Sequence, residues 1–543
     1  MNHSLSWGYD ALGRVVGESQ TVNGLTKSVG YAYTSGDLTT LTTPSGQIVT
    51  YGYNGNHQIV SIAVNGTTVL SGVTYEPMGA VNGWAWGNST AAARTYDGDE
   101  KISQISSNGV KAYTYDNAFR ITGITDTSAG ASNWTYGYDQ LDRITGGTNG
   151  SITRGWTYDA SGNRLTETGT APSTYAVASS SNQITSITGA LARTYSYDAA
   201  GHILGYASMT ATYNNAGRLN TVANGSLTET LVYNALGQRI ETSGGASGTI
   251  LYWYDEQGHL LGEYDGSGNL IEETVWLGDI PVATLQPSGS GVAIYYVHTD
   301  QLNTPRQVTR PADNAQMWTW FSDPFGTDAA NSNPAGAGAF TYHLRFPGQI
   351  FDGQVGLHYN YHRDYDPGTG RYVESDLIGL HGGINTYAYA ANDPILLTDP
   401  FGLCPDGTHP ATPDDIKKIL AEANKIASKG LTHAQIQCNQ FVDQSINNAF
   451  PGALAREYNT TDMLNKQGPF QPVATPSIGD LMVIRNPGHV VFVTGVSNGA
   501  VTQFQGSQSS TGPATVNLPN PYFWSPKLDI PNNALYLQIC LPN

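Results

Sequence analysis

A short recurring pattern constrains the fold of this chain more than any other feature. It consists of an aromatic residue, Asp or Asn, two or three further residues, Gly, a basic or polar residue and an aliphatic one, as in Tyr9-Asp10-Ala11-Leu12-Gly13-Arg14-Val15. Further copies begin at Tyr115, Tyr138, Tyr158, Tyr197, Tyr213, Tyr233 and Tyr254. Many neighbouring copies are 16 to 23 residues apart, as from Tyr197 to Tyr213 and from Tyr115 to Tyr138. A period of this length predicts a repeated supersecondary unit.

Each copy of the pattern predicts a β-hairpin. The Tyr ends one strand, Asp or Asn with Gly supplies the turn, and the aliphatic residue begins the returning strand. The chain is rich in Gly (63) and Tyr (33), and only 13% of its residues are charged, against a usual ~25%. Because a single hairpin is not stable alone, neighbouring hairpins must pair, and a long twisted sheet must roll up or cover its edges.

A second set of motifs follows the repeats in a fixed order. They are Tyr295-Tyr296-Val297-His298-Thr299-Asp300, Phe346-Pro347-Gly348-Gln349, Gly356-Leu357-His358-Tyr359-Asn360-Tyr361, Arg363-Asp364-Tyr365-Asp366-Pro367, Gly370-Arg371-Tyr372, Asn392-Asp393-Pro394 and Asp399-Pro400-Phe401-Gly402-Leu403. Together with the repeats, they resemble the YD-repeat shell of the Rhs polymorphic toxins over about residues 5–403. The resemblance implies a mostly β fold, in which a spiral β-sheet forms a hollow cocoon around its own C-terminus. Complete shells of the family are usually much longer than this segment, so the sequence leaves open whether this shell closes fully.

Two similar motifs near the end of the shell each contain an acidic residue. Asp376 precedes Leu-Ile-Gly-Leu, and Asp399 precedes Pro-Phe-Gly-Leu. Two carboxylates that lie close together share one proton, and such a pair can activate water and protonate a leaving amide nitrogen. The residues alone leave open that both merely cap turns. The resemblance implies that they meet and that the chain cleaves itself between Leu403 and Cys404. A nearby cation favours the charged form of a carboxyl group, and Arg371 is the candidate to hold Asp376 charged.

The composition changes after Leu403, so we predict two domains, 1–403 and 404–543. Thr412 and Pro413 predict a helix start, and a second helix is predicted over 438–449. Apolar runs predict strands at Leu481–Ile484, Val490–Val496, Val501–Gln505 and Leu535–Ile539. Helices followed by strands indicate a small α+β domain.

Three residues of this domain are candidates for nucleophilic catalysis. Cys438 lies at the predicted start of a helix, where the helix dipole lowers the pKa of a thiol. His489 opens a predicted strand, a rigid mount for a general base, and Gln505 on the next strand can orient its ring. The alternative interpretation is a buried core thiol and a strand-end histidine without a chemical role.

The segments Gln437-Cys438-Asn439-Gln440-Phe441-Val442, Ile478-Gly479-Asp480-Leu481 and Gly488-His489-Val490-Val491-Phe492-Val493 resemble CHAP and NlpC-type amidases, which are papain-like cysteine hydrolases. The resemblance implies Cys438 as nucleophile and His489 as base. For the third position Gln505 fits best, with Gln503 as an alternative. Gln437 is a candidate donor to the oxyanion.

Charge and composition exclude several other classes of function. The net charge is −18 and no cluster of Lys and Arg is visible, so nucleic acid is not an expected partner. No matched ligand cluster surrounds His433 and Cys438, and we expect no metal or other cofactor. Three cysteines do not form a disulfide scaffold. Neither a Sec signal nor an apolar run of ~18 residues is present, so export would need a dedicated secretion machine.

Three functions are consistent with these patterns. The first is an antibacterial effector whose tail cleaves peptide amide bonds of peptidoglycan, acting in the periplasm of the target cell and neutralised by a cognate immunity protein. The second is a protease, deamidase or acyltransferase of the same fold that acts on a target-cell protein. The third is a cell-surface protein whose repeats bind a partner and whose tail is inert.

Overall fold

The computed structural model describes residues 3–403, except 78, 128–132, 151 and 380–382, and seven strand segments of the tail. The chain divides into two compact units. The first consists of Met1–Leu377 with Tyr387–Gly402, and the second of Ile378–Thr386 with Leu403–Asn543. The boundary near Leu403 lies where the composition changes.

The first unit is built on an antiparallel meander of short strands. Its strands are β1 (Ser4–Tyr9), β2 (Val15–Val22), β3 (Leu25–Thr34), β4 (Asp37–Thr42), β5 (Ile48–Tyr53), β6 (Ile59–Val64), β7 (Thr67–Tyr75), β8 (Val81–Trp86), β9 (Ala91–Tyr96), β10 (Ile102–Ser106), β11 (Val110–Tyr115), β12 (Ile121–Asp126), β13 (Trp134–Tyr138), β14 (Ile144–Asn149), β15 (Ile152–Tyr158) and β16 (Arg164–Gly169). The meander continues with β17 (Ser173–Val177), β18 (Ile184–Gly189), β19 (Arg193–Tyr197), β20 (Ile203–Tyr206), β21 (Met209–Tyr213), β22 (Leu219–Asn224), β23 (Leu227–Tyr233), β24 (Arg239–Gly245), β25 (Gly248–Tyr254), β26 (Leu260–Asp265), β27 (Leu270–Leu277), β28 (Ile280–Ser288), β29 (Gly291–Thr299), β30 (Pro305–Thr309) and β31 (Gln316–Thr319).

The hairpins follow the predicted pattern. β21 ends at Tyr213 and β22 begins at Leu219, the tyrosine and the aliphatic residue of one repeat. In the turn between them, the Asn214 side-chain oxygen accepts hydrogen bonds from two backbone N–H groups, and Gly217 has a φ of 71°. In two other copies Phe119 and Asp142 hold the same left-handed backbone with φ of 67° and 60°.

In many repeats the tyrosine also joins its hairpin to the one before it. Its hydroxyl donates a hydrogen bond to the carbonyl of the aliphatic residue that begins the returning strand of the preceding repeat. Such bonds are Tyr115 to Ile102 (2.7 Å), Tyr138 to Ile121 (2.6 Å), Tyr158 to Ile144 (2.9 Å), Tyr197 to Ile184 (2.9 Å) and Tyr213 to Ile203 (2.8 Å). The tyrosine therefore fixes the spacing of neighbouring repeats as well as the end of its own strand.

The sheet rolls so that early strands pack on late ones. A large apolar core joins residues of β2–β9, such as Val49 and Ile62, to residues of β26–β29, such as Val282 and Leu285. Polar contacts cross the same interface: Gln20 Nε2 donates to the Tyr252 carbonyl at 2.8 Å and Thr43 Oγ1 to Glu273 Oε2 at 2.8 Å. A rolled, spiral antiparallel sheet was the predicted fold class, and this prediction is confirmed for the first unit.

The remainder of the first unit is a smaller sheet in an aromatic core. The sheet consists of β32 (Gln349–Asp352), β33 (Leu357–Asn360), β34 (Arg363–Asp366) and β35 (Arg371–Tyr372), and a 3₁₀ turn follows at Ala390–Asn392. Nearly every residue of β33, β34 and β35 is buried. Their neighbours include Trp320, Phe346 and Tyr389. Phe346 contacts Trp320 edge to face and Tyr389 in a tilted arrangement, and Tyr389 also contacts tyrosine rings of β34 and β35.

The second unit contains β36 (Thr408–Pro410), β37 (Phe470–Val473), β38 (Leu481–Ile484), β39 (His489–Ser497), β40 (Ala500–Ser509), β41 (Gly512–Asn517) and β42 (Ala534–Pro542). All four predicted tail strands are present, three of them longer than predicted. The two predicted helices lie outside the described residues, so the papain-like arrangement stays a prediction. Within the part of the chain that the structure describes, no helix is long and apolar enough to cross a membrane.

Removing one repeat hydroxyl tests the link between hairpins. Tyr158→Phe leaves the Ile144 carbonyl without its donor, and we expect a loss of about 1 kcal/mol in the free energy of unfolding, measured by urea denaturation. Tyr9→Phe is the matched control, since the Tyr9 side chain is exposed. An equal effect of both substitutions would show that the bond contributes nothing specific.

A buried carboxyl predicts a pH dependence of stability. Burial, followed by the negative charge of Asp352, raises the pKa of Glu229 from 4.5 to about 8. Because the pKa of Glu229 is higher in the folded state than in the unfolded state, its protonation contributes to the free energy of unfolding. This contribution is complete below pH 4.5 and is lost as the pH rises to 8, at up to ~1.4 kcal/mol per pH unit for one proton. Urea midpoints should therefore fall from pH 5 to 8, and less steeply for Glu229→Gln. Parallel profiles would contradict the assignment.

Candidate functional site

The segment at the end of the shell is held by the turn between β33 and β34. Asn360 Nδ2 donates to the Asp399 carbonyl at 2.9 Å, and the His362 backbone N–H donates to the Phe401 carbonyl at 3.1 Å. Arg363 Nε donates to the Gly402 carbonyl at 2.7 Å. Three carbonyls of the last five shell residues are thus fixed before the predicted scissile bond after Leu403.

The same arginine joins the two acidic residues of the paired motifs. Its guanidinium contacts Asp376 Oδ2 through Nη1 and Asp399 Oδ2 through Nη2, each at 3.0 Å. All three side chains are almost fully buried, with exposed fractions of 3% for Arg363 and 2% for each aspartate. The structure therefore brings Asp376 and Asp399 together on one cation, although they are 23 residues apart in the sequence.

Tyr372 completes this group. The Arg363 guanidinium lies over the Tyr372 ring, with Cζ 3.6 Å from the ring centroid. The Tyr372 hydroxyl donates a hydrogen bond to Asp399 Oδ2 at 2.9 Å. Asn360 Nδ2 donates in turn to the Tyr372 hydroxyl oxygen at 2.6 Å. We call Asn360, Arg363, Tyr372, Asp376 and Asp399 the junction cluster.

The neighbouring acidic groups keep the guanidinium of Arg363 protonated. Burial alone would lower the pKa of Arg363, but the negative charge of Asp376, with smaller contributions from Tyr372 and Asp399, raises it above its usual range. Burial and then Asp399 raise the pKa of Tyr372 well above 10, so this hydroxyl keeps its proton at neutral pH. A permanent cation between two carboxylates is a feature that the proton-sharing argument from sequence did not include.

Two glycines let the backbone approach the cluster. Gly402 has a φ of 65°, and a Cβ there would lie 2.5 Å from the Asn360 carbonyl oxygen. Gly348, with a φ of 80°, faces Pro400, whose carbonyl oxygen would lie 1.9 Å from an added Cβ. The Phe-Pro-Gly-Gln and Asp-Pro-Phe-Gly-Leu motifs thus meet at Gly348 and Pro400, and the second motif also needs glycine at 402, where its backbone comes close to Asn360.

Arg371 does not make the contact that the sequence suggested. Its guanidinium lies over the Tyr387 ring at 4.9 Å and donates to the carbonyl of Asn182. Arg371 and Tyr372 are neighbours on β35, and successive side chains of a strand point to opposite faces. Since Tyr372 faces the junction cluster, Arg371 faces away, and the ion pair to Asp376 comes from Arg363 instead.

The sequence did not identify Arg363, Asn360 or Tyr372 as functional candidates. All three lie in motifs that carried the family resemblance, but nothing in their local spacing points to Asp376 or Asp399. One signal was available in the sequence: Arg363 lies in the run Tyr361-His362-Arg363-Asp364-Tyr365-Asp366, where a basic residue stands among acidic and aromatic ones.

The structure describes only part of the predicted tail site. His489 is the first residue of β39, as predicted, and Gln503 and Gln505 lie on the adjacent strand β40. In the register of these strands, Gln505 pairs with Phe492 and Gln503 with Gly495. Cys438 and Gln437, like Cys404 at the junction, lie outside the described residues.

Comparison with known proteins matches the described fold. The family model of the teneurin YD-shell matches residues 10–136 and 114–395. The crystal structure of TcdB2-TccC3 superposes on 73% of this chain and 24% of its own, with a TM-score of 0.61 and 17% identity. At this identity the likeness concerns the fold alone.

Three curated relatives are toxins or probable enzymes by name. Double-stranded DNA deaminase toxin A of Burkholderia cenocepacia is 36% identical over 131 residues, which are 24% of this chain and 9% of the relative. Toxin protein Tse5 of Pseudomonas aeruginosa is 38% identical over 117 residues, 22% of this chain and 8% of the relative. Probable deoxyribonuclease RhsA of Dickeya dadantii is 32% identical over 154 residues, which are 26% of this chain and 10% of the relative. The alignments thus span a tenth or less of these relatives.

Replacing the central arginine tests the junction cluster. Arg363→Leu leaves two buried carboxylates without their cation, and we expect a loss of about 3–5 kcal/mol in the free energy of unfolding. Arg310→Leu removes an exposed pair with Asp313 and should leave the urea midpoint unchanged. A small effect of Arg363→Leu would mean that the cluster does not hold the segment 399–402.

Proposed function

The chain belongs to the teneurin YD-shell family, and from this we propose that it is the shell end of an Rhs-type toxin, which cuts itself after Leu403 to free a C-terminal enzyme. The observation that carries the self-cleavage proposal is the pair Asp376 and Asp399 on one buried arginine, beside a segment fixed at the Gly402 carbonyl. The domains are then 1–403 and 404–543.

The proposed cleavage is a hydrolysis. One carboxylate of the pair takes a proton from water as the water oxygen attacks the Leu403 carbonyl carbon, and the other carboxyl group, in its protonated form, gives a proton to the Cys404 nitrogen. The C–N bond breaks, leaving a carboxylic acid at Leu403 and an amine at Cys404, and the acid proton then passes to the amine, which gives a carboxylate and an ammonium group. Arg363 acts by position, since it holds both the acidic residues and the carbonyl next to the scissile peptide.

The relatives are named for different activities, a deaminase and a deoxyribonuclease among them, so they do not specify the activity of this tail. We propose a papain-like cysteine hydrolase, with Cys438 as nucleophile, His489 as base, Gln505 or Gln503 orienting the imidazole, and Gln437 donating to the oxyanion. The position of His489 at the head of a strand, next to the strand with both glutamines, supports this proposal.

The thiolate of Cys438 attacks an amide carbonyl, the amine leaves with a proton from His489, and water then releases the acid from the thioester. The substrate we favour is a peptide amide of peptidoglycan in the periplasm of a target cell; a target-cell protein is the alternative. A shell that stores the tail, a secretion apparatus that exports it and an immunity protein that protects the producer complete the proposal.

Conservative substitutions test the self-cleavage. Purified wild-type chain should give two bands on a denaturing gel, whereas Asp376→Asn and Asp399→Asn should remain uncut because each loses one of the two proton carriers. Asp159→Asn is the matched control, since Asp159 accepts turn hydrogen bonds in a repeat far from the junction in sequence. Full cleavage of both junction variants would refute the proposal.

Toxicity tests the cysteine mechanism separately. The full chain directed to the periplasm of Escherichia coli should kill, and Cys438→Ala or His489→Ala should abolish killing while leaving self-cleavage intact. Gln505→Ala should reduce killing less, because an amide orients the ring without supplying charge. Cys540→Ala is the control. A fully toxic Cys438→Ala variant would refute the hydrolase, and killing confined to the cytoplasm would indicate a protein substrate.

A further inference from the structure

A second cluster of ionisable side chains lies in the first unit, apart from the junction cluster in the hydrogen-bond network. Glu263 lies on β26, Glu272 on β27, and His343 on the irregular segment between β31 and β32. One donor atom from each of the three lies within 4.8 Å of the other two. Both glutamates are fully or almost fully buried, with exposed fractions of 0% and 1%.

The donor atoms have the spacing of metal ligands. His343 Nδ1 lies 2.7 Å from Glu263 Oε2 and 3.8 Å from Glu272 Oε1. In a tetrahedral zinc site with bonds of about 2.0–2.1 Å, ligand atoms are ~3.3 Å apart. The two distances to His343 Nδ1 lie on either side of this value, and the two glutamate oxygens lie within 4.8 Å of each other, so the three atoms can close around one ion by local side-chain shifts.

An unpartnered atom points to a missing ligand. Glu263 Oε1 is buried without any hydrogen-bond partner, although it belongs to the carboxylate whose Oε2 faces His343. A buried carboxylate oxygen without a partner is unfavourable by itself. The nearby cation does not satisfy it, since Arg345 Nη1 donates to the carbonyls of Tyr342 and Leu344.

The surrounding contacts orient the other donors. The backbone N–H of His343 donates to Glu272 Oε1 at 3.1 Å, and Gln286 Nε2 donates to Glu272 Oε2 at 3.2 Å. Hydrogen bonds from outside groups to a ligating carboxylate are typical of metal sites, where they fix ligand orientation.

We propose that Glu263, Glu272 and His343 bind one zinc ion through Oε2, Oε1 and Nδ1, with a water as the fourth ligand that donates a hydrogen bond to the otherwise unpartnered Glu263 Oε1. Two carboxylates and one imidazole are a ligand set suited to Zn²⁺. The ion replaces the proton between His343 and Glu263. It ties β26 and β27 to the segment that leads into Phe346-Pro347-Gly348-Gln349, where Gly348 contacts Pro400. Zinc would thus stabilise β26, β27 and the segment that leads to Gly348, and this effect does not depend on the activity of the tail.

Zinc titration of the full chain tests the proposal. The protein is stripped with a chelator and titrated with Zn²⁺ against a chromogenic competitor, in the Asp399→Asn background so that it stays one piece. The chain with all three ligands should bind one zinc ion at this site. In Glu263→Gln and His343→Gln, the dissociation constant for that ion should be at least tenfold higher. Bound metal is counted by mass spectrometry after dialysis.

The control is a histidine between two carboxylates that cannot share an ion. His259 contacts Asp255 through Nδ1 and Asp279 through Nε2, each at 3.0 Å, so its partners lie on opposite sides of the ring. His259→Gln should bind as much zinc as wild type. An unchanged titration for Glu263→Gln and His343→Gln, or an equal loss for His259→Gln, would overturn the proposal.

A second measurement excludes misfolding as the cause of lost binding. In wild type, Zn²⁺ should slow amide hydrogen exchange at Phe351, whose N–H donates to the His343 carbonyl at 2.8 Å. The variants should show the metal-free exchange rate with and without Zn²⁺. Slowing in the variants equal to that in wild type would place the ion elsewhere.

Discussion

The hydroxyl of the repeat tyrosine is the interaction on which the architecture of this chain depends. It couples hairpins that backbone pairing alone would leave free to vary in twist and spacing. With many hairpins set against the previous one, the right-handed twist accumulates in one direction, and the sheet rolls until early strands cover late ones. The aromatic core sheet of β32–β35 then places the turn at Asn360–Arg363 beside the last residues of the shell.

The junction cluster is a group of buried charges within a unit whose other strands form the sheet and its core. Burial excludes water from the ion pairs, so the positions of Asp376 and Asp399 are set by Arg363 rather than by solvent. Buried charges of this kind are a poor source of stability and specify geometry instead. This fits a group whose proposed task is to hold one peptide in one orientation.

The sequence predicted the features that depend on local chemistry. Tyrosine at strand ends, glycine at turns and the tail strands follow from residue type and period. The role of Arg363 could not be predicted, because strand parity decides that Tyr372 faces the cluster while Arg371 faces away. The grouping of Glu263 with His343, 80 residues apart, depends on how the sheet rolls, which no local pattern encodes.

The measurement that tests the central claim most directly is the N-terminal sequence of the smaller fragment of the purified wild-type protein. The arrangement of Asp376, Asp399 and Arg363 around a segment fixed at Gly402 predicts one new terminus, beginning with Cys404 and followed by Pro405 and Asp406. A terminus at another residue, or a chain that stays intact from Met1 to Asn543, would contradict the account.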